Sequence, residues 1–249
     1  MNRDISLILN GWPYNPNEVT VRRIIGFDGR EKLQMRLDLG VLQMEMDGRP
    51  DGERPHGFES LLDFHIARLE THRRENGGDA DFSLDDDECG ELRGEAMQYY
   101  HRYLSLFHLG DYASVLRDTE RNLQAFDFMR EWATDESDRA AIDQYRPYVL
   151  MMNTRGMACL ELEMHEFDRA LDIIGEGVER IENFLRDAGR EEMIESCREI
   201  NFLEEWAERV RNQRPLTEAE QLRRELEVAV ESENYERAAQ LRDQIKDIA

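Results

Sequence analysis

Phe58-Glu-Ser-Leu61-Leu62-Asp-Phe-His65-Ile66-Ala-Arg-Leu69 is the stretch where the chain changes its apolar spacing. Leu61, Leu62, His65, Ile66 and Leu69 follow the 3.6-residue period of an α-helix, and the helical pattern continues beyond them. Asn76-Gly-Gly-Asp79 stops this helix, and Ser83-Leu-Asp-Asp86 reads as a capping start for the next. Later helices are predicted at about 84–109, 112–131, 136–165, 167–187 and 190–212. Their breaks lie at Gly110-Asp111, Ala133-Thr134-Asp135, His165-Glu166 and Ala188-Gly189. Pro147 falls inside the 136–165 span and is expected to kink or restart it.

Upstream of Phe58 the period is two. Val19, Val21, Arg23 and Ile25 alternate with Thr20, Arg22 and Ile24, and the run leads into Gly26-Phe27-Asp28-Gly29, a hairpin signal. On the return run Leu33, Met35, Leu37 and Leu39 point one way, and Gln34, Arg36 and Asp38 the other, so the first set is expected to be buried. Beside Gly40 the phase flips, and Leu42, Met44 and Met46 then share a face. A bulge or a break into a third strand is expected there. A sheet this small must pack on something else.

Downstream, Arg214-Pro215-Leu216 separates a last unit. Thr217-Glu-Ala-Glu220 is a capping box, and two final helices are predicted at about 218–231 and 234–247. The expected fold is therefore mainly α: antiparallel helical hairpins with a small N-terminal β-hairpin unit and a C-terminal helical hairpin. Three domains are expected: 1–57 (β-rich), 58–213 (helical array) and 216–249 (the last hairpin).

The 249 residues carry 32 basic and 55 acidic side chains, a net charge of −23. The acidity is concentrated: residues 61–210 hold 17 bases and 36 acids, while the flanking segments are nearly neutral. Such a field repels nucleic acid and anionic lipid, so neither direct nucleic-acid nor membrane partners are expected. No apolar run approaches the length of a membrane span, and the apolar stretch near the start is too short for a secretory leader. A soluble, cytoplasmic protein is expected. Cys89, Cys159 and Cys197 are far apart and odd in number, which favours free thiols over a disulfide framework.

Two resemblances follow from particular residues. Gly110-Asp111-Tyr112-Ala-Ser-Val115 and His165-Glu166-Phe167-Asp168-Arg169-Ala170 resemble the second half of tetratricopeptide repeats, with small Ala158 twelve residues before Ala170. The resemblance implies helical pairs in which Tyr112 and Phe167 are buried between helices. The two aromatics are 55 residues apart and the closing Pro is missing, so the repeats would be irregular; an ordinary helix bundle is the alternative.

Leu222, Leu226 and Ala229, followed by Glu233-Asn-Tyr-Glu-Arg-Ala-Ala-Gln-Leu-Arg-Asp-Gln-Ile245, closely resemble the UVR motif. That motif is the short hairpin found at the end of the bacterial excision-repair helicase subunit and within its partner nuclease subunit. It also occurs in the activator of the bacterial protein-arginine kinase and in some chaperone ATPases. The resemblance implies a bacterial protein. It implies a turn at Glu233-Asn234-Tyr235 with Tyr235 packed between the helices, close approach at Ala238 and Ala239, and a partner surface comprising Leu222, Leu226, Tyr235, Leu241, Arg242 and Ile245. The partner would be another protein: a UVR-containing or repair subunit, or a second copy of this chain.

Visible chemistry is sparse. No GxxxxGK[ST] phosphate loop, GxSxG, HExxH or Cys/His pairing occurs. His65 with His72, and His101 with His108, are spaced i, i+7, about 10 Å apart and too far to share one metal; surface or boundary positions are expected. Asp85-Asp-Asp-Glu88 offers carboxylates to a divalent cation, but acids at a helix N-terminus are favourable without one. The Gly48–Gly57 loop, with Arg49 and Arg54 as donors, is a candidate anion cradle, weighed against a plain rigid connector. No cofactor is expected. The expected function is a non-enzymatic adaptor; an excision-repair accessory and a small-ligand sensor built on Arg49 and Arg54 are the alternatives.

Overall fold

The computed structural model describes residues 4–216 and 218–248. It is mainly helical, with a three-stranded antiparallel sheet near the N-terminus and a helical pair at the C-terminal end. The chain divides into two compact units between Ala207 and Glu208.

After a four-residue helix, α1 (Ser6–Leu9), strands β1 (Val21–Ile25), β2 (Glu31–Arg36) and β3 (Val41–Glu45) form a meander in that order. The first turn follows the Asp-Gly signal. The Gly26 amide donates to the Arg30 carbonyl (2.8 Å), and Gly29 takes φ +76°, a conformation that favours glycine. The phase flip beside Gly40 is a second hairpin turn, closed by the Leu37 amide donating to the Gly40 carbonyl at 2.9 Å.

The burial of β2 corrects the simple alternation. Leu33 and Met35 are buried, as expected from the period, but Gln34 and Lys32 on the other face are buried too. β2 is the central strand, and Gln34 lies in register between Arg22 and Gln43. Its amide accepts from Arg22 (2.8 Å) and donates to Gln43 (2.9 Å), while the Arg22 guanidinium stacks 3.9 Å from the centre of the Trp12 ring. A fully bonded polar row thus replaces the solvated face. The apolar stripe also stops early. The strand ends at Arg36, Leu37 is half-buried and Leu39 is 87% exposed in the turn.

Helix α2 (Leu61–Asn76) starts at N-cap Ser60 and ends at Gly77. Helix α3 (Asp86–His108) is capped by Asp85 with Glu88 completing a capping box, two residues later than the Ser83 start expected. The cause is a tertiary bridge. The Leu84 amide donates to the Trp132 carbonyl (2.8 Å) and the Leu84 carbonyl accepts from Thr134 (3.0 Å), so residues 83–84 are held extended. After α4 (Tyr112–Trp132), the expected 136–165 helix is two, α5 (Glu136–Asp143) and α6 (Arg146–Glu163). Pro147 sits in the first turn of α6, where its missing N–H costs nothing, so it restarts the helix. Helix α7 (Phe167–Asp187) follows, and α8 (Arg198–Gln213) begins eight residues after the expected 190. Residues 190–197 instead make successive i to i−3 bonds, among them Met193 to Arg190 and Cys197 to Ile194.

Helices α3 and α4, then α4 and α6, then α6 and α7 pack in succession; the sheet and α2 lie against α3. Leu92, Leu106, Val115, Met152, Ile174 and Ile181 fill the interior. Close approach is real between α6 and α7: a Cβ on Gly177 would lie 2.3 Å from Thr154 Cγ2. Ala158 and Ala170 are fully buried.

Tyr112 and Phe167 are only half-buried, which corrects the expectation that each is enclosed between helices. Each is the first residue of its helix and so lies at the end of the pair, with Tyr112 edge-on to Phe107 (5.4 Å) and Phe167 beside His165 (6.4 Å). The turns before them share one geometry. Asp111 donates its amide to Leu106 (3.0 Å) behind left-handed Gly110, and Glu166 donates to Glu161 (2.9 Å) behind left-handed His165. These are Schellman closures, which satisfy helix-end carbonyls.

The second unit contains α9 (Glu218–Glu231) and α10 (Tyr235–Ile248), antiparallel neighbours joined by the same closure. Asn234 donates to Ala229 (2.8 Å) behind Glu233 at φ +55°. The capping residue expected at Thr217 lies outside the described residues.

Candidate functional site

The α9–α10 pair has a small interior. Ala229, Ala238 and Leu241 form its buried centre, and Leu222 and Leu226 pack partly buried against them. Small Ala229 and Ala238 let the helix axes approach, and Leu241 fills the space between. On α9, positions 222, 226 and 229 share one face, as the i, i+4, i+7 spacing requires. Across the pair, Arg237 bridges to Glu225 at 2.9 Å, and the Asn234 side chain accepts from the Arg237 amide at 3.2 Å as N-cap of α10.

The residues expected to meet a partner divide into two groups. Leu241 is fully buried and Leu222 and Leu226 pack half-buried against it, so these three serve the interior of the pair; Ile245 is half-buried. Tyr235 is 68% exposed, which corrects its expected place between the helices. It is the first residue of α10, and the Glu233–Asn234 closure brings the chain in with that side chain pointing outward. Arg242 is exposed, and so is Ala239, which does not mediate the close approach. Sequence reading passed over Leu216 and Val228, which are 41% and 60% exposed. Together with Gln221, Arg224, Ser232 and Arg237 they line an open groove of about 530 Å³ along α9. The i, i+4, i+7 row Gln221, Glu225, Val228, next to the apolar stripe, was the signal for it.

The N-terminal loop does not gather its two arginines. Arg49 turns inward to Asp51 (3.1 Å) and to the buried carboxylate of Glu95 (3.5 Å), whereas Arg54 remains 64% exposed near Glu59 (3.8 Å). Glu95 also pairs with Arg121 and accepts the Leu61 amide at 2.8 Å, anchoring the start of α2. Arg49 is thus spent on an acid, and the depression it lines carries Glu91 and Glu95 as well. A second arginine works the same way. Arg102 grips Asp118 with two bonds (2.7 and 2.8 Å) and donates to the Glu45 and Gly48 carbonyls, fastening the loop after β3 to α3 and α4.

His65 is fully buried, not at the surface or boundary as expected; His72 and His101 are half-buried and His108 exposed. Asp85 and Glu88 are occupied in capping α3, and Glu88 pairs with Arg68. Among the described residues no group of three or more His, Cys, Asp or Glu is arranged to hold a metal. Cys89, Cys159 and Cys197 are free, and burial pushes the Cys89 thiol up to about 11. No described helix is long and apolar enough to cross a membrane.

A larger concavity, about 700 Å³, opens in the first unit between α3, α4, the α5–α6 turn and the first turn of α8. Tyr100, Tyr103, Tyr145 and Tyr148 line it with Phe126 and Glu199. Sequence reading passed over these tyrosines; the paired i, i+3 spacings 100/103 and 145/148 were the available signal.

Compared with known families, residues 217–249 match the UvrB/uvrC motif. No curated protein and no solved structure matches the chain.

Proposed function

We propose that this chain is a non-enzymatic adaptor whose terminal hairpin docks on another protein and whose helical array, similar to tetratricopeptide repeats, forms its body. The observation that carries this reading is the UvrB/uvrC motif at residues 217–249, given physical content by the α9–α10 pair. The pair buries two alanines and one leucine, Ala229, Ala238 and Leu241, and leaves Leu216, Val228, Val230 and Tyr235 exposed. A hairpin with so little interior is marginal alone and gains by covering that surface. Val228 and Tyr235 are therefore the docking residues; Leu222, Leu226 and Leu241 hold the scaffold. A second reading, an accessory that reaches DNA through an excision-repair subunit, is favoured by the motif's occurrence in such subunits.

Cross-linking capture in the native host tests both. The full chain is compared with a Val228→Asp, Tyr235→Ala double variant and with residues 1–215. The adaptor reading expects one partner recovered with the full chain and lost with both altered forms. An excision-repair subunit as that partner establishes the second reading. Equal recovery with all three forms rejects the hairpin as the docking element.

A further inference from the structure

We propose that the tyrosine-lined cavity of the first unit receives an arginine side chain from a basic segment of a partner protein. The cavity is built from aromatic faces and one carboxylate. The half-buried Tyr100 and Tyr148 are tilted to each other (5.9 Å), and the fully buried Tyr103 supports Tyr100 edge-on (5.6 Å). Tyr145 and Met97, 49% and 46% exposed, form the rim. Glu199 is half-buried in the same lining. The Cys197 thiol donates to it at 3.4 Å, and among the described residues no arginine or lysine pairs with it. Arg93, the basic group in the lining, is already held by Asp138.

The rest of the molecule shows what such surroundings accept. Arg22 lies over Trp12, Arg68 over Phe82, Arg121 over Tyr99, and Arg155 between Phe107 and Phe202 at 4.1 and 4.8 Å. The tyrosines of the cavity have no such guanidinium stacked on them among the described residues. A planar cation between aromatic faces and beside a carboxylate is favoured by the ring quadrupole and by charge together, more for arginine than for lysine. The acidic body, net −19 over residues 61–210, draws a basic segment toward it. A lone guanidinium fills little of about 700 Å³, and the residues flanking an arginine in a chain cover Met97 and Phe126. That favours a protein segment over a free small cation.

The site lies wholly among residues 93–199, so its test is independent of the terminal hairpin. The full chain, with its methionine methyls labelled, is titrated with acetyl-Gly-Ala-Arg-Ala-Gly-amide and with its norleucine counterpart at physiological salt, following Met97 by NMR. The arginine peptide is expected to shift the Met97 methyl saturably, and the norleucine peptide to leave it unmoved. Glu199→Gln is expected to weaken binding about tenfold, whereas Glu192→Gln, an equal charge change on an exposed residue outside the cavity, changes it less than about twofold. Tyr145→Phe retains binding and Tyr145→Leu loses about fivefold, since the ring face and not the hydroxyl is used. Equal shifts from both peptides overturn the proposal, as do equal losses in the two glutamate variants. So does no saturable shift up to ~10 mM peptide.

Discussion

At the scale of single residues, His65 is a titratable group buried without a hydrogen-bond partner. It sits on the Leu61, Leu62, Leu69 stripe of α2, with Phe64 and Phe128 ring centres 5.0 and 6.4 Å away, and neither ring nitrogen has a hydrogen-bond partner. Burial, and then the nearby Arg68 charge, lower its pKa to about 4. In the unfolded chain the value is near 6.5. Between these two values the unfolded state holds a proton that the folded state refuses, so stability falls as pH drops through that window. At pH 5 the loss is about 2 kcal/mol relative to pH 7. His65→Leu keeps an apolar group on the stripe and removes the proton. Thermal melts at pH 7 and pH 5 are expected to show a larger drop for the parent than for this variant; identical drops would place the pH dependence elsewhere. The buried position was legible in the period, because His65 occupies a core slot of the 3.6 repeat. What tempted a surface reading was its chemical type alone.

At the scale of elements, the terminal hairpin separates interior from surface, and the two classes respond differently to truncation. Leu241→Ala removes the one large side chain at the centre of α9–α10 and is expected to cost about 2–3 kcal/mol, enough to melt a pair this small. Tyr235→Ala acts on an exposed side chain and is expected to change stability by less than about 0.5 kcal/mol. Amide exchange along α10 reads both: fast exchange for the first variant and near-parental protection for the second. Protection unchanged by Leu241→Ala would mean that the pair's interior is not what holds it. The same contrast explains what the sequence made legible. Helix type, the hairpin turn at Gly26–Gly29 and the restart at Pro147 follow from local period and turn chemistry, and could be read. The burial of Gln34, the delayed start of α3 at Asp86 and the outward Tyr235 depend on partners distant in sequence or on a backbone closure. A central strand covered on both faces and a Leu84–Ala133 bridge leave no trace in a local pattern. The candidate site was half legible: the motif located the hairpin, but not which of its side chains face out, and the tyrosine cavity assembles from four separate stretches of the chain, on α3, on α4, around the α5–α6 turn and at the start of α8.

At the scale of the whole molecule, charge decides which partners approach. The net charge is −23, and among the described residues many arginines are turned inward or tied to acids. Arg102 and Asp118 are both buried, Arg49 and Arg121 converge on Glu95, and Arg93 is held by Asp138. These cations have already exchanged water for a carboxylate, and redirecting one to a phosphate would leave that carboxylate buried and unpaired. Nucleic-acid affinity comes mainly from cations free to displace counterions, so the protein alone is expected not to bind duplex DNA at physiological salt. Anisotropy titration of a labelled duplex up to ~10 μM protein should show no change. Binding in the micromolar range that weakens steeply with added salt would instead reveal a basic surface. The same field has the opposite effect on a basic protein: it speeds encounter, and that advantage shrinks as salt shortens the reach of the charges. An association rate that falls as salt rises, with no DNA binding at any of those salt concentrations, is the behaviour expected of an acidic body that recruits basic protein segments.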